Sequence, residues 1–238
     1  MKYWAPTCVA GVALGTLLYG CQRSVDNETF FPLAKGHRWT YAQTVEHAEL
    51  RLPDTLTVRS VGPSKFDDVP VAVRRDSHGN EYWLRQDDRG IARVASRTLL
   101  DAVPVRDADA RWVLKAPFTV GTTWQARTAP YVLTRVVPFR ERLHQHEGLS
   151  FIMQYEIAAV DDTLQGPAGQ LAPCLRVEGT GLAYVIADPR VAVNEVPVTQ
   201  TEWYCKGVGL ARLVRHEPLD TIQIQGGTLT LDLRDFAP

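Results

Sequence analysis

Along most of the chain, apolar and polar residues alternate one by one. Phe151, Met153, Tyr155 and Ile157 are separated by Ile152, Gln154, Glu156 and Ala158. An extended segment there sets its large apolar side chains on one face. Trp39, Tyr41 and Val45 repeat the pattern near the start of the domain. Clusters of turn-forming residues punctuate these runs about every ten residues, the spacing of short strands. They are Ser77-His78-Gly79-Asn80, Asp87-Asp88-Arg89-Gly90, Asp161-Asp162 and Gly166-Pro167. The pattern predicts an all-β, mainly antiparallel fold: a twisted sheet, half-barrel or sandwich with little helix. Helical candidates are confined to 97–110, which Pro104 interrupts, and to 138–148.

Near the C-terminus, Gly226-Gly227 suits a two-residue hairpin turn that needs positive φ. Such a turn sets Ile224 opposite Leu229 and Ile222 opposite Leu231 on one face, with Thr221, Gln223 and Thr230 on the other. A longer-range echo also stands out. Pro32-Leu33-Ala34-Lys35-Gly36-His37-Arg38-Trp39 and Pro117-Phe118-Thr119-Val120-Gly121-Thr122-Thr123-Trp124 share Pro-apolar-x-x-Gly-x-x-Trp. In each, the glycine turns the chain and the tryptophan opens a strand by burying its ring. Trp39 and Trp124 are therefore expected in the core. Either one solution is used twice, or the domain at 30–238 holds two related β halves, 30–115 and 116–238.

The alternation is absent from the first 21 residues. Lys2 precedes an uncharged run from Val9 to Leu18 that ends in Leu18-Tyr19-Gly20-Cys21. A cationic start, a short apolar core and a small residue before the cut make a secretory signal. The run is too short to span a bilayer, which takes about 20 apolar residues. Cys21 after Gly20 looks like the end of a bacterial lipoprotein signal, although Tyr19 is bulkier than the usual Ala or Ser, and an ordinary cleaved signal needs no cysteine. The expectation is a signal peptide at 1–20, a lipidated Cys21, and a short tether through residue 29. Residues 22–29 reach at most about 25–30 Å, so the domain sits close to its membrane. Gln22 is not the Asp that retains lipoproteins at the inner membrane in enterobacteria-like systems. The outer membrane, facing the periplasm, is the expected address, with the inner membrane and the cell surface as alternatives.

Charge narrows the partners. The chain has 26 Lys+Arg and 27 Asp+Glu. Removing residues 1–20 takes away only Lys2, leaving 26 − 1 = 25 basic against 27 acidic groups, a net −2. So balanced a chain lacks the basic footprint of a nucleic-acid binder and the polybasic patch of a membrane-surface binder. After processing, Cys174 and Cys205 remain beside Cys21. In an exported chain they are expected to form a disulfide, with two separately buried thiols as the alternative.

No nucleophile elbow, zincin helix motif or phosphate-binding loop is present, so no catalytic residue, cofactor or metal site is assigned. His144 and His146 would share a face of a strand, but loop histidines are commoner. Asp67-Asp68, Asp87-Asp88 and Asp161-Asp162 sit where turns need Asp. Gly179-x-Gly181 and Gly207-x-Gly209 are expected to be strand bends or turns. Glu202 and Tyr204 lie on the face opposite Trp203, so one of those faces exposes an aromatic.

Several motifs occur together and in order. They are Phe31-Pro32-Leu33 with Gly36 and Trp39-Thr40-Tyr41, the Gly121–Trp124 motif, Pro167-Ala168-Gly169 before Cys174-Leu175-Arg176-Val177, and Glu202-Trp203-Tyr204 with Gly207-Val208-Gly209-Leu210. The set resembles a family of largely uncharacterised bacterial lipoproteins with β-rich periplasmic domains. Where that family usually has Ala-Pro before Gly-Val-Gly, this chain has Cys205-Lys206, which offers Cys174 a partner. More distantly, the architecture is similar to the half-barrels of lipoprotein carriers and receptors, a likeness of fold only. With no nucleophile–base or metal set to name, the expected function is a non-enzymatic, membrane-anchored envelope lipoprotein acting as a scaffold or assembly partner of another envelope protein. The alternative is a carrier or receptor for an acyl chain or other apolar ligand in a concave sheet.

Overall fold

A computed structural model describes residues 1, 29–47, 50–138, 140–143, 149–186 and 193–238. The expected signal peptide, Cys21, most of the tether, His144 and His146 lie outside these residues. The described chain is nearly all strand: β1 (Arg38–Glu46), β2 (Arg51–Phe66), β3 (Val69–Asp76), β4 (Glu81–Asp87), β5 (Gly90–Arg97), β6 (Val105–Lys115), β7 (Thr123–Thr128), β8 (Thr134–Arg135), β9 (Glu141–Arg142), β10 (Phe151–Gly166), β11 (Gly169–Val185), β12 (Asn194–Cys205), β13 (Gly209–Asp220) and β14 (Ile224–Ala237).

Strands alternate up and down and pair with their sequence neighbours. The order is β6-β5-β4-β3-β2-β1-β14-β13-β12-β11-β10-β7. The last strand returns to the first, with Arg38 opposite Ala237 and Glu46 opposite Thr228. The expected half-barrel thus closes almost completely. Its seam lies between β6 and β7, where no ladder forms among the described residues. Side chains bridge the gap instead: Arg111 of β6 donates to Thr128 Oγ1 of β7 at 3.2 Å. The boundary expected between two halves falls in the 116–122 connection at this seam.

Alternation decides which residues face inward. Phe151, Met153, Tyr155 and Ile157 are buried while Ile152, Gln154 and Glu156 are exposed. Trp39, Tyr41 and Val45 are buried on β1, and Trp124 and Ala126 on β7. The glycines of the repeated motif, Gly36 (φ +101°) and Gly121 (φ +86°), adopt the left-handed backbone that suits glycine and precede β1 and β7 respectively. The motif therefore opens each arm of the barrel.

Three local expectations are corrected. Gly226-Gly227 is not a hairpin turn. The turn lies at 221–223, and β14 runs straight through the glycines. Ile222 is consequently exposed, and Leu231 faces Leu213 instead. The pair sits where β14 changes partners, from β8 (Ile224 opposite Arg135) to β1 (from Thr228). A Cβ on Gly226 would stand 1.9 Å from the Glu217 carbonyl oxygen, and one on Gly227 2.0 Å from that of Glu46. Close backbone approach, not positive φ, requires glycine here. Asp161-Asp162 lies within β10 beside irregularities in its pairing with β11, and the chain turns later, at 167–168. The helical candidate at 97–110 is the end of β5, a loop and half of β6.

Candidate functional site

The barrel has two unlike ends. At one end lie the turns at 67–68, 88–89, 167–168 and 206–208, together with the first described stretch of chain. That stretch is pinned at several points. Gly207 N–H donates to Thr29 O at 2.8 Å. Phe31 is buried against the ring of Tyr204, centroids 6.0 Å apart. Arg74 lies between the rings of Phe31 and Trp39, 4.0 and 4.3 Å from their centroids, and donates to Pro32 O at 2.6 Å. Trp39 Nε1 donates to Val208 O at 2.6 Å, and Tyr41 Oη to Leu210 O at 2.9 Å. Gly207 and Gly209, both at positive φ, flank Val208 at the β12–β13 turn, which donates to Thr29 and accepts from Trp39.

Cys174 and Cys205 are joined by a disulfide at this end. They stand directly opposite each other on β11 and β12, so both side chains share one face. Beside them, Glu202 and Tyr204 point inward and are buried, while Trp203 on the other face is half-buried against the cluster of Trp39, Tyr41 and the two cysteines. Gly179 and Gly181 lie within β11. A side chain there would collide with Tyr155 and Met153 of β10, so these glycines make room for the larger residues.

The middle of the barrel is closed by a polar network that alternation alone does not announce. Arg215 and Glu217 are fully buried and ion-paired, Nε to Oε1 at 2.6 Å. The Glu217 carboxylate also accepts the backbone N–H groups of Tyr131, Val132 and Leu133 at 2.8–3.0 Å. It thereby fastens the segment after β7 into the barrel. Arg215 also donates to Gln200 Oε1 (2.8 Å) and Ala129 O (3.1 Å), and lies 4.0 Å over the Tyr131 ring. Gln200 and Tyr204 donate to Glu202 at 2.8 and 2.9 Å. Across the seam, Arg111 donates to Tyr131 Oη at 2.9 Å.

This environment shifts the groups it holds. Burial pushes Glu202 above the ordinary carboxylate range, against the pull of Tyr204, Arg111 and Gln200. Burial also raises Tyr155, with the charge of Glu202 adding to it. Tyr131 moves the other way: burial alone would raise its phenol, but Arg111 and Arg215 outweigh it and bring it down to about 8. Arg215 and Glu217 were visible in the sequence only as charges in the buried phase of β13, after Ala211 and Leu213.

The inner face is thus a bonded polar layer between apolar clusters, and nothing described favours an apolar ligand held in a concave sheet. At the other end lie a hollow of about 210 Å³ beside Pro130, Phe151 and Tyr184 and a wide, open one of about 500 Å³ beside His216, Leu219 and Gly226. Among the described residues, no three His, Cys, Asp or Glu side chains converge to hold a metal ion.

No protein-family model matches the chain, and a search of curated proteins finds no match. Among solved structures it is similar to a candidate lipoprotein from Parabacteroides distasonis ATCC 8503, with 11% identity, 88% of this chain and 99% of that one covered, and a TM-score of 0.45. It is also similar to a candidate exported protein with a YmcC-like fold from Bacteroides fragilis NCTC 9343, with 12% identity, 89% and 100% covered, and a TM-score of 0.41.

Proposed function

We propose that the chain is an exported lipoprotein, held on a membrane through a lipidated Cys21, and that its barrel serves as a non-enzymatic binding or assembly partner in the cell envelope. The observation that carries this reading is the pinning of Thr29 to the barrel end, only eight positions after the Leu18-Tyr19-Gly20-Cys21 signal. An anchor at Cys21 then holds the domain at a fixed end and within about 25–30 Å of the bilayer. Two or more acyl chains on one cysteine anchor stably where a single chain does not. The disulfide suits an oxidising compartment. Gln22 favours the outer membrane, with the barrel in the periplasm. The tightly bonded interior favours a role for the outer surface.

The test is a Cys21→Ser variant. The parent chain is expected to partition into detergent and to show a mature N-terminus at Cys21 with the mass of added lipid. The variant is expected in the soluble fraction or as uncut precursor. A parent chain with a different N-terminus and no lipid would overturn the reading.

A further inference from the structure

On the outer face of the sheet, three arginines face one another across two successive ladders. Arg38 of β1 stands directly opposite Arg59 of β2, and Arg59 directly opposite Arg75 of β3. All three are exposed, and on β1 they share the face away from buried Trp39 and Tyr41. β2 pairs with β1 through 51–59 and with β3 through 58–66, so only Val58 and Arg59 have a partner on each side. One of those two triple rows is all arginine. The row continues through Glu81 of β4 to Arg97 of β5. Glu81 binds both Arg75 and Arg97, while Arg38 and Arg59 pair with no carboxylate among the described residues. Four arginines against one glutamate leave a net +3 on this line. Lys35 adds a further cation beside it, its stem 3.1 Å from where a Cβ on Gly62 of β2 would stand. No run of basic residues announces the row, because positions 38, 59 and 75 meet only through register.

Like charges directly opposite on a sheet are destabilising, and elsewhere the ladders offset them. Glu46 faces and pairs with Arg51, and Asp232 with Arg212. Arg93, opposite Arg111, is bonded to Asp107, and Glu178, opposite Glu156, to Arg176. Among the described ladders, only Arg38 and Arg59 are like charges facing each other with no counter-charge on either. Asp235 faces Thr40, the next outward position of β1, and pairs with neither arginine. The chain as a whole is nearly neutral, so a basic composition does not explain the row. Neighbouring strands lie about 4.8 Å apart, close enough for long side chains from all three to converge on one group. A guanidinium keeps its charge and grips phosphate oxygens through two parallel N–H bonds. We infer that the row is a binding site for a phosphate-bearing anion, whose charge supplies what the missing carboxylates do not. A soluble phosphate compound and the headgroups of an anionic phospholipid present that same chemistry. The site does not depend on lipidation of Cys21.

The experiment uses the full chain carrying Cys21→Ser, so that no acyl anchor contributes. Calorimetry titrates it with inorganic pyrophosphate at about 0.15 M salt, and sedimentation measures its binding to phosphatidylglycerol and to phosphatidylcholine vesicles. The expected result is saturable binding to pyrophosphate, which assigns a soluble source, or to phosphatidylglycerol vesicles alone, which assigns a headgroup. Arg59→Gln is expected to weaken that binding at least tenfold and to melt no lower than the parent, because it relieves two like-charge contacts. Arg38→Gln repeats the test from the neighbouring strand. Arg127→Gln removes an exposed arginine of β7, off the row, and is expected to bind as the parent does. No binding in either arm overturns the inference, as does full binding by Arg59→Gln and Arg38→Gln, or an equal loss in Arg127→Gln. Equal sedimentation with both kinds of vesicle and no pyrophosphate binding would show an apolar attachment and overturns it too. A lower melting temperature in both row variants would make the row structural, with the same consequence.

Discussion

The side chain with the most legible titration is Tyr131. Its phenol lies between two guanidinium groups, Arg111 bonded to its oxygen at 2.9 Å and Arg215 stacked 4.0 Å over its ring. Burial opposes ionisation, the two arginines favour it, and the arginines prevail, bringing the group to about 8. An unfolded tyrosine titrates near 10. Between about pH 8 and pH 10 the folded chain therefore binds fewer protons at this site than the unfolded chain does. Stability from this group accordingly grows as pH rises through that window and is absent below it. Tyr131→Phe keeps the ring under Arg215 and the backbone N–H that Glu217 accepts, and removes only the hydroxyl. Denaturant unfolding of parent and variant at pH 7.5 and pH 9.5 is expected to show the parent gaining on the variant at the higher pH. Absorbance at 295 nm is expected to lose one low-pH tyrosinate step in the variant. An identical difference at both pH values would show that the arginines do not lower the phenol.

Between neighbouring strands, the controlling quantity is the distance at which backbones pass. Gly226 lies where a Cβ would stand 1.9 Å from Glu217 O and 2.6 Å from Leu219 N. Neither is a flexible side-chain tip that can move aside. Gly226→Ala is expected to destabilise by about 1–3 kcal/mol or more, the scale of overpacking. Gly166→Ala has nothing nearer than 3.7 Å and is expected to lie within about 0.5 kcal/mol of the parent. Thermal melts of the two variants check this, and equal melting temperatures would remove the close-approach argument. The same position shows what the sequence could convey. A Gly-Gly pair between apolar runs predicts a turn because local chemistry favours one. Whether a second backbone passes there is a long-range fact: the carbonyl that crowds Gly227 belongs to Glu46 of β1, far earlier in the chain. Strict alternation did convey β10, β1 and the burial of Trp39 and Trp124, because period and burial are both local. Two spare cysteines in an exported chain suggest the disulfide, and the structure contains it; what sequence leaves open is parity across β11 and β12, which the register settles by setting Cys174 opposite Cys205. Arg215 and Glu217 were the hardest to read. A charge in a buried phase identifies itself only once its partners, Gln200 and the 131–133 backbone, are brought beside it.

At the scale of the whole molecule, one connection of the described sheet joins the two ends of its strand order. β6 and β7 are the ends of the strand order, and the backbone bonds that the 116–122 connection makes to other segments, Ala116 to Arg89 and Gly121 and Thr122 to Ile157, lie on either side of 119–120. The natural ends, by contrast, are held together: β1 and β14 pair along their length, with Arg38 opposite Ala237. Joining residue 238 to residue 30 through a flexible linker of about ten residues, and opening the chain near 119–120, leaves every strand with its ladder partners. This permuted domain is expected to fold, to melt within a few degrees of the unpermuted 30–238 domain, and to form the Cys174–Cys205 bridge, seen by non-reducing mass mapping. A second permutant opened at 206–208 breaks into the turn that bonds Trp39 through Val208 beside the disulfide. It is expected to melt well below the first. Should the seam permutant fail to fold while the 206–208 permutant folds, the bridge from Arg111 to Thr128 and Tyr131 would carry the closure that the ladders otherwise explain. The seam would then be an obligatory contact of the barrel, and not the natural opening between its two arms.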